Sequence, residues 1–304
     1  MRVFVTGGTG LVGSRLTARL CERSDSPVVL SRDAPAALAK LGTGVEIVEG
    51  DPATGGEWEQ AIQTCDAVVN LAGENIFAHR WNEETKARIR DSRVQSTRRI
   101  VAAVGRATNR PRVLVKASAV GYYGFHDDEE LTEADGPGED FLARSCVEWE
   151  AAARELVPTG VRLVIVRIGV VLSTAGGALM QMLTPFKLGV GGPVGNGRQW
   201  MSWVHIDDLI GIILHALDHE HVSGVINGTA PEPVTNQQFS KALGRALGRP
   251  SFFRVPGFML RLQFGQVAEI ITSGQRVLPK RTVELGYQFR YPTIDAALVD
   301  LLAP

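Results

Sequence analysis

Cysteine is scarce: the 304 residues hold three, Cys21, Cys65 and Cys146, far apart and with no C-x-x-C pair. That scarcity argues against a disulfide framework and a structural zinc site, and it fits a reducing compartment. An excess of one charge is also missing. Lys and Arg total 32 against 33 Asp and Glu, a net charge of -1, so there is no chain-wide basic field for nucleic acid. Long hydrophobic runs are absent too. Met1-Arg2 leads directly into Val3-Phe4-Val5-Thr6-Gly7, without the apolar stretch and cleavage pattern of a signal peptide. The longest uncharged run, Ile168 to Phe186, is broken by Gly169, Gly176, Gly177 and Pro185 and is too polar for a membrane span. The expectation is a cytoplasmic protein with no metal, no membrane contact and no nucleic-acid partner.

What is present is an ordinary globular composition, 44% hydrophobic and 21% charged, which excludes a disordered chain. Short β-branched runs at 2–6, 28–30, 45–48, 67–71, 113–116, 163–166 and 225–227 alternate with helical spacing, as at 11–23 and 83–105. Continuous apolar strands separated by helices predict a doubly wound α/β fold, a parallel sheet buried on both faces. Charge is unevenly spread. Eight acids crowd 127–140, nine basic residues face two acids in 241–290, and 168–197 hold Lys187 as their one charge together with eight glycines. The acidic stretch reads as a solvated loop. The glycine-rich stretch can close over a ligand or pack tightly on the sheet.

The strongest motif is Thr6-Gly7-Gly8-Thr9-Gly10-Leu11-Val12-Gly13, between the first strand pattern and the first helix pattern. Glycines there serve a tight turn, close approach of backbone to a pyrophosphate, and helix–strand packing. The helix N-terminus then offers free N–H groups and a positive dipole end to the phosphates. The second strand pattern ends in Ser31-Arg32-Asp33. An acid at that place binds the ribose 2′-hydroxyl of NAD, whereas a base accommodates the 2′-phosphate of NADP. Ser31 and Arg32 point to NADP, and Asp33 counts against it. Asn70-Leu71-Ala72-Gly73 provides small residues along which a cofactor can lie.

These residues resemble the extended short-chain dehydrogenase/reductase superfamily of NAD-dependent epimerases and dehydratases. Asn70 to Ile76, Arg80-Trp81, Ser92-Arg93, Gly121-Tyr122-Tyr123-Gly124, Trp149-Glu150, Gly189 to Pro193, His205 to Asp208 and the segment from Gly274 to Phe289 narrow the resemblance to an atypical epimerase branch. It covers essentially the whole chain. It implies a Rossmann domain at 1–170 and a smaller mixed substrate-side region at 171–304, some of whose strands can join the main sheet. It implies NADP contacts at Gly7, Thr9, Gly10, Leu11, Val12, Gly13, Ser31, Arg32, Leu71, Ala72, Gly73, Arg88, Arg93 and Val171.

The superfamily's Tyr-x-x-x-Lys pair is missing. Four residues after Tyr122, Tyr123, Tyr287 and Tyr291 stand His126, Asp127, Tyr291 and Asp295. The resemblance aligns Leu142 with the tyrosine, Cys146 with the lysine and Arg93 with a helix asparagine. A leucine cannot transfer a proton, and an unpaired thiol is a poor stand-in for an ammonium. Ser118, placed after the fifth strand, and Tyr122 remain as catalytic candidates, with Tyr123 and Cys146 as substitutes to weigh. Arg93 must meet an anion, either a cofactor phosphate or a carboxylate such as Glu74. Asp207-Asp208 reads as a helix N-cap with His205 as its neighbour. The implied function is an NADP(H)-binding oxidoreductase or nucleotide-sugar-epimerase-like protein acting on a small anionic hydroxyl or carbonyl compound. The alternative is a catalytically silent NADPH-binding sensor or scaffold.

Overall fold

The structure, a computed structural model, describes residues 1–303, with the side chains of Gln263 and Phe264 left out. Strand alternation builds its centre. Val3 and Val5 face one layer and Phe4 the other, so each strand feeds two cores at once. Seven strands form the main sheet: β1 (Arg2–Thr6), β2 (Ser26–Ser31), β3 (Glu46–Glu49), β4 (Ala67–Asn70), β5 (Val113–Ala119), β6 (Arg162–Ile168) and β7 (Gly224–Gly228). Their order is β7-β6-β5-β4-β1-β2-β3, and every pairing is parallel. The order reverses between β1 and β4. In doubly wound sheets ligands bind at the carboxyl ends of the strands at such a point.

The helices of eight or more residues are α1 (Leu11–Glu22), α2 (Ala34–Leu41), α3 (Glu83–Arg106), α4 (Phe141–Arg154), α5 (Gly177–Lys187), α6 (Ile206–Asp218), α7 (Asn236–Leu247), α8 (Gly257–Phe264) and α9 (Ile294–Leu302). Leu16 and Leu20 of α1 pack with Ile210 and Ile213 of α6 on one face. Ile100 and Val104 of α3 cover the other with Phe4, Val68 and Leu114. A separate cluster around Leu179, Leu183, Trp203, Phe239 and Leu298 forms the core of the C-terminal region. That region is not detached from the sheet: its residues 224–228 supply the edge strand β7, which pairs with β6 in register from Gly224–Val164 to Gly228–Ile168.

All seven strand patterns read from the sequence lie in this sheet. The differences are at the ends. The fifth strand runs three residues beyond Lys116, which places Ser118 inside β5 instead of after it. Polar ends such as Ser26 and Arg162 pair because their neighbours are already in register.

The expectation for the Asp pair is corrected. His205, not an aspartate, caps α6, its Nδ1 accepting from the Asp207 N–H at 3.0 Å. Asp207 instead takes Arg15 of α1 at 2.7 Å. The buried Asp208 accepts from the Tyr287 hydroxyl at 2.9 Å and from the N–H groups of Arg290 and Tyr291 at 2.8 and 2.9 Å. One carboxylate thereby fixes the C-terminal segment to α6. Asp208→Ala leaves the N–H groups of Arg290 and Tyr291 without their acceptor, while the Tyr287 hydroxyl keeps the residue's carbonyl at 3.0 Å, and should cost about 3 kcal/mol, the scale of a lost charged hydrogen-bond acceptor. Denaturant unfolding checks this, and a loss no larger than that of an exposed-surface substitution would refute it.

Candidate functional site

The site begins where β1 ends. Gly7 turns the chain at φ +69°, and an added Cβ would lie 2.8 Å from the Leu71 carbonyl carbon. At Gly13 an added Cβ would lie 2.1 Å from the Gly7 carbonyl oxygen, so α1 touches the loop with no room for a side chain. Gly10 is the N-cap of α1 and offers no side-chain cap. Its N–H donates to Gly7 O at 3.0 Å, and the first bond of the helix runs from Ser14 N to Gly10 O at 2.9 Å. Among the described residues the N–H groups of Leu11, Val12 and Gly13 have no protein acceptor, and the first turn holds no acid. Free donors at a positive dipole end make an anion site. Thr9 lies half-buried beside them and Gly10 is exposed.

At the end of β2, Ser31 Oγ donates to Asp33 O at 3.0 Å and accepts from Asp33 N at 3.2 Å. Asp33 caps α2, accepting from Ala36 N at 2.9 Å. Its carboxylate is therefore engaged in the helix, and the exposed Arg32 makes no ion pair among the described residues. At the end of β4, Leu71 N donates to Thr6 O and Ala72 N to Asn70 Oδ1, bringing this strand end against the glycine loop. Val171 comes to the same place. An added Cβ on Gly177, at the start of α5, would lie 3.0 Å from Leu11 Cδ2 and 3.7 Å from the Val171 carbonyl oxygen.

Arg93 of α3 turns inward, but the anion expected for it is not a carboxylate. Its guanidinium donates to the carbonyls of Ile89 at 2.9 Å and Glu74 at 2.8 Å, and it packs against Gly73. The Glu74 carboxylate pairs instead with the more exposed Arg88 at 3.4 Å, and Arg88 also meets Glu84.

The positions aligned with the lost relay are closed. Leu142 packs against Gly121, whose added Cβ would lie 3.4 Å from Leu142 Cβ. Cys146 is buried, and burial pushes its thiol up to about 11 despite the cations of Lys116 and Arg93 nearby. Those bases come from β5 and α3, which is why Cys146's own helix gave no sign of them. Ser118 Oγ donates to Glu150 Oε1 at 2.8 Å. Glu150 is held by a bidentate pair with Arg167 at 2.9 and 3.0 Å. Burial favours the neutral acid, but Arg167 and the Ser118 hydroxyl bring the Glu150 carboxyl below the usual range. Arg167 also donates to the Tyr123 hydroxyl at 3.0 Å, which donates to Asn227 Oδ1 at 2.8 Å. Burial pushes Tyr123 up to about 12 against the pull of Arg167, so it is no acid near neutral pH. Tyr122 lies half-buried with its ring 3.3 Å from the Arg167 guanidinium carbon.

The sequence reading missed Lys116, Arg167 and the role of Glu150. Lys116 and Arg167 were legible as charges inside otherwise apolar strand patterns, whereas Glu150, in a helix that also carries Glu148 and Arg154, was not. Lys116 is 0% exposed, its amine makes no hydrogen bond, and it lies 3.7 Å from the Trp149 ring centre. Burial holds it well below the usual lysine range.

A family model described as the NAD dependent epimerase/dehydratase family matches residues 3–227, and one described as a domain of unknown function, DUF1731, matches 255–301. The chain belongs to the NAD-dependent epimerase/dehydratase family. It is 42% identical over 308 residues to the human epimerase family protein SDR39U1, covering both chains in full. It is 42% identical over 304 residues to the Arabidopsis thaliana SDR39U1 homolog, named chloroplastic, covering 98% of this chain and 86% of that one. A crystal structure of human SDR39U1 (isoform2) with NADPH superposes with a TM-score of 0.88 at 38% identity, covering 99% of each chain. Among the described residues of this family member, no helix is long and apolar enough to cross a membrane.

The buried Lys116 amine has a sign that can be tested. The folded state binds its proton less readily than the unfolded chain, so its cost is present at neutral pH and fades as pH rises toward the unfolded lysine value near 10.5. Lys116→Met should stabilise the protein at neutral pH by about 1–3 kcal/mol, the cost of an unsatisfied buried group. The gap between the two melting temperatures should narrow with rising pH, and a destabilised variant would contradict a net cost for burying the amine.

Proposed function

We propose that this chain binds NADPH and acts on a small anionic hydroxyl or carbonyl compound. The observation that carries the reading is the uncapped N-terminus of α1, with three free N–H donors over a glycine floor and no acid in its first turn. The residues fit the cofactor. Gly7, Thr9, Gly10, Leu11, Val12 and Gly13 would take the pyrophosphate. Ser31 and Arg32 would take the 2′-phosphate, with Asp33 removed from competition by its capping role. Leu71, Ala72, Gly73, Arg93 and Val171 would line the remainder, and Arg88 would stand at the rim. Three free cysteines support a cytoplasmic setting.

Bound NADPH supplies a hydride to a carbonyl carbon, or as NADP⁺ removes one from an alcohol carbon. The chain's own residues orient the partners and exclude water. Leu142 has no proton to give, Cys146 holds its proton at neutral pH, and Ser118 is committed to Glu150. The proton that balances the hydride would come from the half-buried Tyr122 hydroxyl, from water or from the substrate. The closed Ser118–Glu150–Arg167–Tyr123 network favours a second reading, an NADPH-binding sensor or scaffold without turnover.

Calorimetric titration separates the coenzymes. NADPH should bind about ten- to hundredfold tighter than NADH, the scale of a charge-assisted phosphate contact, and Arg32→Asp should erase the difference. Equal affinities of the unaltered protein would overturn the assignment of Arg32. A panel of carbonyl compounds followed by the absorbance of reduced nicotinamide separates turnover from silent binding. Cys146→Ala should leave both NADPH affinity and any turnover intact, and loss of turnover with affinity retained would make the thiol catalytic.

A further inference from the structure

Loop 74–82 leaves the end of β4, and the Trp81 ring meets Phe141 edge-on at 5.3 Å, directly before Leu142. The neighbouring Arg80 donates to the Leu262 carbonyl of α8, so α8 touches the loop that packs on Phe141. Segment 191–195 runs beside 253–255, with Val255 N donating to Pro193 O at 3.0 Å and Gly195 N to Val255 O at 2.9 Å. That segment continues back into α5, whose first turn rests on Leu11 of the phosphate loop. The three segments thus lead from the cofactor cradle to one rim.

The rim is apolar and unpaired. Phe258 is 71% exposed and Leu262 77%, one helical turn apart on α8, and Phe77, Leu188 and Phe252 are also more than half exposed. None of the described side chains of α8 is buried. Exposed apolar groups paired along one helix face mark a binding surface. The rim is also cationic. Residues 177–195 and 248–262 contain no acid, and Lys187, Arg254 and Arg261 are exposed with no ion pair among the described residues. Leu142 continues the apolar character to the position aligned with the lost tyrosine.

We propose that the substrate is an amphipathic anion, an apolar chain or ring system carrying a carboxylate or phosphate, with the apolar part on α8 and loop 74–82 and the anion among Lys187, Arg254 and Arg261. A nucleotide sugar does not fit, because its hydroxyls would lie against phenylalanine and leucine with no hydrogen-bond partners. The proposal rests on the NADPH reading and names the substrate class of that same cleft.

The test is calorimetry on protein loaded with NADP⁺, with coenzyme binding measured first. Decanoate or decyl phosphate should bind saturably, whereas acetate and UDP-glucose should not. Which of the two amphiphiles binds more tightly identifies the head group. Leu262→Asp and the double variant Arg254→Glu/Arg261→Glu should each weaken amphiphile binding by about tenfold or more while NADP⁺ affinity stays within about twofold. Binding of UDP-glucose in place of the amphiphiles, or amphiphile binding unchanged in both variants, would overturn the proposal. So would binding to phosphatidylglycerol vesicles without saturable binding of either monomeric amphiphile, or a self-association abolished by Leu262→Asp. Failure of NADP⁺ itself to bind is a different result and would overturn the cofactor reading.

Discussion

The contact between α1 and the turn before it governs the site. The Gly7 carbonyl stands where any side chain at residue 13 would be, so the first turn of α1 rests directly on the loop backbone. Two consequences follow from that single approach. The N–H groups of Leu11 to Gly13 are held at the reversal point of the sheet between β1 and β4, and the adjoining strand end at Leu71 and Ala72 closes against the same loop. The cradle is therefore set by backbone geometry, and its side chains act mainly by being absent. In the proposed reading Arg32 would add the charge that distinguishes one coenzyme from the other.

Beneath the cradle the structure commits its polar groups to one another. Glu150 on α4 and Arg167 on β6 form a buried bidentate pair, which draws in Ser118 from β5, Tyr123 after it and Asn227 on β7. Breaking a buried pair of this type typically costs about 3–5 kcal/mol because the remaining charge is stranded. The network links a helix and three strands, and it occupies the hydroxyls of Ser118 and Tyr123. The strand amine of Lys116 enters the space near Cys146 and Trp149 without a hydrogen bond. The glycine loop stays open above, while the hydroxyls of Ser118 and Tyr123 are tied down.

Much of this was legible in the sequence because periodicity and glycine chemistry are local. The seven strand patterns, α1, α3 and the loop at 6–13 each carry their own signal within a dozen residues. The rest depends on partners distant along the chain. Nothing near Glu150 announces Arg167, nothing near His205 shows that its ring rather than the following aspartates will cap α6, and Asp208 finds its donors some eighty residues later. Asp33 looked like a rival to Arg32 until its hydrogen bond to Ala36 placed it in the helix. The exposure of α8 was hidden for the opposite reason: Phe258, Met259 and Leu262 have the composition of a core helix and differ from one only in being uncovered.

The central claim is that the first turn of α1 is an anion site completed by NADPH. Backbone amide NMR with and without the coenzyme tests it most directly. The account predicts that the amides of Leu11, Val12 and Gly13, which lack acceptors in the protein, shift strongly and exchange more slowly when NADPH binds. Saturable NADPH binding that leaves those three amides unmoved would contradict it.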